Sequence, residues 1–254
     1  MTVAQDRAVR TWTEPEGIAL RGTLLVVPGR GESPEVYERL GRRLAADAYR
    51  VHAVTAPTES AHHARGQVED LLASAEAGTP RVLVGSDAGA AFAAHLTATG
   101  QVPAVSALVL AGLPTSDAAA PAQGWDQELE ARTQCAAHRA RITADGVRRS
   151  ELYAELPAAW IDVALASRIA VPVLGVHGQD DSVSPFDAAR RWYAAVPRAE
   201  LVAIAGGRHD ALNDQTHRTV AASIVLFLER LRAGAHLPPI ASVADSRLVG
   251  GTPS

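Results

Sequence analysis

The sequence of 254 residues contains no lysine: all 24 of its basic residues are arginine. That bias fits the arginine codons of a GC-rich genome and carries no information on function. Against 28 acidic residues it leaves a formal net charge of -4. Nucleic-acid binders usually carry a basic stripe, so nucleic acid is not an expected partner. A single cysteine, Cys135, rules out a disulfide framework within the chain. A reducing cytoplasm is the expected compartment. The polar start, MTVAQDRAVR, has no apolar stretch of signal-peptide length, and no run approaches the ~20 apolar residues of a membrane span. A small-molecule substrate and no membrane association are therefore expected. The sequence does not address how many copies assemble.

What is present is an ordinary globular profile, 47% hydrophobic and 20% charged, in a chain long enough to bury a core as one domain. Short apolar runs alternate with amphipathic segments. Residues 20–27 (LRGTLLVV) predict a buried strand stopped by Pro28-Gly29-Arg30-Gly31. Val36, Leu40 and Leu44 recur at helical spacing over 34–47, with Ser33 as N-cap and Pro34 at the first position. A strand over 50–54, a helix over 64–77, a strand over 81–85, a helix from about Ala88 to Thr97 and a strand over 105–110 follow. The order resumes with a strand at 171–176, a helix near 186–195, a strand at 200–204 and a helix over 213–232. Such alternation predicts an α/β fold: a mostly parallel sheet with helices on both faces. The strands lack polar alternation, as expected where both faces are covered.

Residues 114–168 break the rhythm and read as a short helical cap inserted between core segments 1–113 and 169–233; residues 234–254 read as a loosely held tail. Within the cap, Glu128, Glu130, Arg132, Arg139 and Arg141 have the spacing of a solvated helix face. His62 and His63 read as exposed loop residues, Cys135 as an ordinary helical residue. No spacing of His, Cys and carboxylates suggests a metal site.

The chemistry concentrates in Val82-Leu83-Val84-Gly85-Ser86-Asp87-Ala88-Gly89-Ala90, where a strand runs through Gly-x-Asp-x-Gly into a helix. This is the layout of a nucleophile elbow, with aspartate where serine is usual. His177-Gly178-Gln179-Asp180-Asp181 follows a later strand, and Gly206-Gly207-Arg208-His209-Asp210 follows the last one. With Pro28-Gly29-Arg30-Gly31, four motifs stand in order, each after a predicted strand.

Together they resemble the α/β-hydrolase superfamily over residues 8–232. The resemblance implies Asp87 as nucleophile, Asp181 (with Asp180 as competitor) as the acid and His209 as the base. It implies an oxyanion hole from the backbone N–H of Ala88 and of Gly29 or Arg30. The leading histidine common in that loop is replaced by Pro28. No cofactor is implied.

A carboxylate nucleophile suits attack on saturated carbon, because attack on an ester would give an anhydride. That matches the Asp-nucleophile branches, epoxide hydrolases and dehalogenases. Ala88 lacks the halide-holding side chain that dehalogenases place after the nucleophile, so opening of an epoxide through an alkyl-enzyme ester is the leading expectation. Tyr153 is the candidate acid in the cap. Trp125, Trp160 and Arg208 are candidate substrate contacts, and Arg30 and Arg208 are the arginines best placed to meet an anionic group. Three alternatives stand beside it: an ester or lactone hydrolase (with Asp87 as base or Ser86 as nucleophile), a non-hydrolytic tailoring enzyme, and a binding module with a relic triad.

Overall fold

The structure, a computed structural model, describes residues 9–103, 105–115, 124–144 and 147–241. Among these, seven strands form one sheet in the order β1-β3-β2-β4-β5-β6-β7. The strands are β1 (Arg10–Trp12), β2 (Gly22–Val27), β3 (Tyr49–Ala53), β4 (Arg81–Ser86), β5 (Ala107–Ala111), β6 (Val173–Gly178) and β7 (Ala199–Ile204). All neighbours pair in parallel except β1, which lies antiparallel to β3. The sequence did not signal β1, because three residues are too few to display a period. Trp12 nevertheless fixes it: the indole lies so close to Gly41 that a Cβ there would sit 2.2 Å from the ring.

The unbroken apolar strands divide their side chains between two cores. Leu24, Val26, Val82, Val84 and Val109 face one side; Leu25, Val27, Leu83, Leu108 and Leu110 face the other. Because successive strand residues point to opposite faces, a strand buried on both sides must be apolar throughout. Helices α1 (Glu38–Ala46) and α7 (His217–Ala233) contribute to the first core through Leu40, Leu44, Ile224 and Phe227. Helices α2 (Ala61–Ser74), α3 (Ala88–Ala98) and α6 (Phe186–Ala194) contribute to the second through Val68, Leu72, Phe92, Leu96 and Trp192.

Three sequence expectations shift here. The 34–47 segment opens as a 3-10 turn, Pro34–Tyr37, before α1 begins at Glu38. Ser33 is its N-cap, but its hydroxyl makes no capping bond. His62 and His63 lie in the first turn of α2 rather than in a loop, because Ser60 caps the helix by accepting from the His63 amide.

Between β5 and β6 the described segments hold α4 (Trp125–Arg132), α5 (Ala136–Ala144) and two 3-10 turns, Glu151–Tyr153 and Val163–Arg168. Cys135 lies in the break between α4 and α5, not within a helix. Part of the 114–168 segment, and residues 242–254 of the tail, fall outside the described residues. From 235 to 241 the chain is held in part by Arg230, whose Nη2 donates to the Leu237 carbonyl at 2.7 Å. The cap is stitched to the loops beneath it: the amides of His209 and Asp210 donate to the carbonyls of Ala131 and Arg132, and the Arg148 amide to that of Gly31. No helix among the described residues is long and apolar enough to cross a membrane.

Candidate active site

Four loops converge at the carboxyl ends of β2, β4, β6 and β7, the edge of a parallel sheet where ligands bind in open α/β folds. The turn after β4 is the sharpest. Asp87 has φ 48° and ψ −120°, a positive-φ conformation outside the left-handed helical region and strained for any residue with a side chain. Its amide donates to the Ala111 carbonyl of β5 at 3.0 Å, and its carbonyl accepts from Ala90 at 2.9 Å. The flanking glycines allow close approach. A Cβ at Gly85 would fall 2.4 Å from the Ala90 Cα, and one at Gly89 2.0 Å from the Val27 carbonyl oxygen. Helix α3 therefore starts against β2, and the first N–H groups of the helix, beginning with Ala88, have no partner within it. Ser86, one residue earlier, is buried and makes a hydroxyl contact with Tyr37 beneath the turn.

The Asp87 side chain meets His209, whose Nε2 lies 3.2 Å from Asp87 Oδ1. The contact is an ion pair and not an aligned hydrogen bond. On its other side His209 Nδ1 is 2.8 Å from Asp181 Oδ2. Asp181 is fixed in turn: Oδ1 accepts the amides of Val183 and Ser184, and His177 Nε2 is 3.1 Å from Oδ2. Asp180 is exposed and faces away. The three groups are buried, with Asp87 only 2% exposed and His209 1%.

Burial would by itself neutralise these groups, but their mutual charges outweigh it. For His209, burial lowers the pKa, while Asp181 and then Asp87 raise it to about 10. For Asp87, burial pushes upward, yet the Arg30 guanidinium and His209 hold it well below the usual carboxylate range. At neutral pH the resting triad is carboxylate, imidazolium, carboxylate.

A fourth charge completes the site. Arg30, in the loop after β2, grips Asp87 with its guanidinium: Nη2 is 2.7 Å from Oδ1 and Nε 2.9 Å from Oδ2. Its backbone amide also donates to Oδ2 at 2.9 Å, and Nη1 donates at 2.9 Å to the Ala154 carbonyl of the cap. The Gly29 amide, the other donor expected of this loop, is committed to Glu32 Oε2 at 2.8 Å. The two loop donors of the expected oxyanion hole are therefore engaged by carboxylates of the protein itself.

Residues 24–222 match the alpha/beta hydrolase family. The chain belongs to that family. Among solved structures, a soluble variant of the monoglyceride lipase of Saccharomyces cerevisiae superposes with a TM-score of 0.71, at 18% identity over 88% of this chain and 90% of the lipase. The monoacylglycerol lipase of Paleococcus ferrophilus gives 0.68, at 16% identity over 89% and 98%. MenH from S. aureus gives 0.60, at 14% identity over 88% and 98%. At these identities the likeness is one of fold. No curated protein sequence matches the chain.

Around the triad of this family member, the other expected contacts separate. Tyr153 packs on Ala131, Leu152 and Val183, next to the carbonyl that receives Arg30. Burial, followed by the Glu128 charge, raises its phenol pKa. Trp125 is half-buried with the Arg149 guanidinium 5.0 Å from its ring centroid. Trp160 does not join the site: it stacks on Phe92 of α3 at 4.8 Å, in the core beside α2. Arg208 donates its amide to Asp214.

The expectation of a solvated charged face is overturned at Glu128 and Arg132 of α4, while Glu130 is exposed as expected. Arg132 is fully buried and Glu128 nearly so. The Arg132 guanidinium touches Glu128 (3.1 Å), Glu32 (3.4 Å) and Asp210 (3.7 Å) and donates to the Arg30 carbonyl at 3.0 Å. His138 closes the group on Asp210 at 2.9 Å. Burial and the charge of Asp210 raise the Glu32 pKa against the pull of Arg132. This cluster ties the loops after β2 and β7 to α4, and it has no local sign in the sequence. No group of three His, Cys, Asp or Glu residues suited to a metal occurs among the described residues.

Proposed function

We propose that this chain is a hydrolase in which the Asp87 carboxylate attacks saturated carbon, with an epoxide as the reacting group. One observation carries the reading: the Arg30 amide, at the oxyanion position, donates to Asp87 Oδ2. In a serine hydrolase that donor must stand free for the carbonyl oxygen of the substrate. Here it holds one oxygen of the carboxylate and leaves Oδ1 on the His209 side. Once Oδ1 is alkylated, Oδ2 becomes an ester carbonyl oxygen already seated where negative charge will develop.

The sequence of steps balances. Oδ1 bonds to an epoxide carbon, the C–O bond of the ring breaks, and the oxygen takes a proton from Tyr153 on the cap side. Alkylation cancels the Asp87 charge that helps hold the imidazolium, so His209 releases its proton and the tyrosine is restored. Neutral His209, oriented by Asp181, then takes a proton from water, and hydroxide attacks the Asp87 carbonyl carbon. The oxyanion on Oδ2 collapses, the diol leaves with the imidazolium proton, and the proton of the Asp87 carboxylic acid so formed passes to His209, which restores the carboxylate and the imidazolium.

The test is a single turnover in oxygen-18 water with enzyme in excess. The first product carries the unlabelled oxygen of Asp87, and label enters the Asp87 carboxylate. Label in the product of that first turnover would eliminate the covalent route and favour an ester- or lactone-type attack by water. In His209→Gln, intact mass is expected to show an accumulating alkyl adduct.

A further inference from the structure

We infer that Arg30 selects the substrate: the reactive carbon carries a neighbouring anionic group, a carboxylate in the simplest case, and that group takes over the guanidinium which clamps Asp87. The inference rests on Asp87 as nucleophile and adds a substrate class to it.

The geometry leaves little alternative for attack. A carboxylate oxygen offers about two in-plane lone pairs. On Oδ1 these face Arg30 Nη2 at 2.7 Å and Arg30 Nε at 3.2 Å, with His209 Nε2 also 3.2 Å away. On Oδ2 they face the Arg30 amide and Nε, both at 2.9 Å. No oxygen of Asp87 has a free lone pair while the clamp is closed. Arg30 is only 7% exposed, and its remaining edge is on Ala154. The backbone donor can stay in place through the reaction; the side chain cannot.

Moving a buried guanidinium off its carboxylate leaves two uncompensated charges, which is strongly unfavourable unless another anion replaces the first. A neutral epoxide brings no such partner. An oxirane bearing a carboxylate does: the guanidinium passes from Asp87 to the substrate in a bidentate pair, which arginine geometry favours. Oδ1 is thereby uncovered in the same movement that fixes the substrate beside it. No proton is transferred in this exchange, and the summed charge of Arg30, Asp87 and substrate is unchanged. The second buried arginine cannot serve, since Arg132 is shared among three carboxylates of the protein.

Two experiments decide the matter. The first compares kcat/KM for 3-phenylglycidate and for styrene oxide in the wild type, Arg30→Lys and Arg30→Gln. The wild type is expected to prefer the carboxylate by about 10- to 100-fold, the range set by one charge-assisted pair. Arg30→Gln should erase that ratio and Arg30→Lys should restore part of it. An unchanged ratio in Arg30→Gln, or a wild-type preference for styrene oxide, overturns the inference.

The second needs no turnover. Asp87→Asn removes the internal anion and should bind phenylacetate at least about tenfold more tightly than the wild type by calorimetry. Asp87→Asn combined with Arg30→Gln should lose that gain, and equal binding by the single and double variants overturns the inference. An adduct in His209→Gln from styrene oxide and not from 3-phenylglycidate sinks the selection by Arg30 but keeps the nucleophile. No adduct from either epoxide sinks the nucleophile, and phenylacetate binding still judges Arg30.

Discussion

Two buried arginines flank the loop after β2, and they are held in opposite ways. Arg132 comes from the cap, is wholly enclosed, and shares its charge among Glu32, Glu128 and Asp210. Arg30 belongs to the loop itself and has one carboxylate partner, Asp87, with a cap carbonyl on its far edge. An arginine with three anions around it has no reason to move, because any displacement uncovers several buried acidic groups at once. An arginine with one anion can exchange it for another. The first therefore fixes the relation between the cap and the loops after β2 and β7, while the second holds the carboxylate at the turn after β4.

The sharpest way to separate them is Asp87→Asn. Turnover is expected to fall by about 10^4-fold or more, as for loss of a nucleophile elsewhere. The fold should persist, since asparagine is no more strained than aspartate at this positive φ; steady-state kinetics and thermal unfolding of the same preparation check both halves. Arg132→Met should behave in reverse. Leaving buried acids without their counter-charge costs about 3–5 kcal/mol. In a chain of this length that lowers the melting temperature by about 10 °C, and a melting temperature unchanged from the wild type would break the contrast.

A smaller effect is expected from pH. The folded pKa of His209, about 10, exceeds an unfolded value of about 6.5. Its protonation therefore stabilises the fold fully below about pH 6.5, and the contribution is lost as pH rises through about 10. Asp87 has the opposite sign: its depressed pKa contributes above the ordinary carboxylate value and is lost only in strong acid. Melting temperature should thus decline from pH 7 to about 10.5, and in Asp87→Asn the decline should begin at lower pH. Identical pH profiles would show that Asp87 does not hold the imidazolium. The smallest change is Ser86→Ala, expected to cost about 1 kcal/mol of stability for a lost hydroxyl contact and to leave turnover within a few-fold. A collapse of turnover there would move the nucleophile one residue back.

The elbow was legible because its constraints are local. Gly85 and Gly89 are demanded by contacts within a few residues and with one adjacent strand, and Asp87 stands between them in the chain. Asp181 and His209 were legible through the resemblance of the segments after their strands to the acid and histidine loops of the α/β-hydrolase superfamily. The clamp on Asp87 was not, since nothing at residue 30 announces a side chain reaching residue 87. The α4 charges were misread for a related reason. Glu128 and Arg132 have the i, i+4 spacing of an exposed pair, and only Glu32 and Asp210, about a hundred residues upstream and eighty downstream, turn that face inward. Trp160 was misplaced because an aromatic in a cap segment looks alike whether it packs on α3 or lines a pocket.

The sequence by itself determined the order of strands and helices from β2 onward, the sharp turn at residue 87 and the types of residue in the triad, because periodicity and glycine sterics act over short stretches of chain. Tertiary structure alone decided which charges meet. Whether a buried ion is compensated depends on every group brought near it, and for Arg30 and Arg132 those groups come from distant segments.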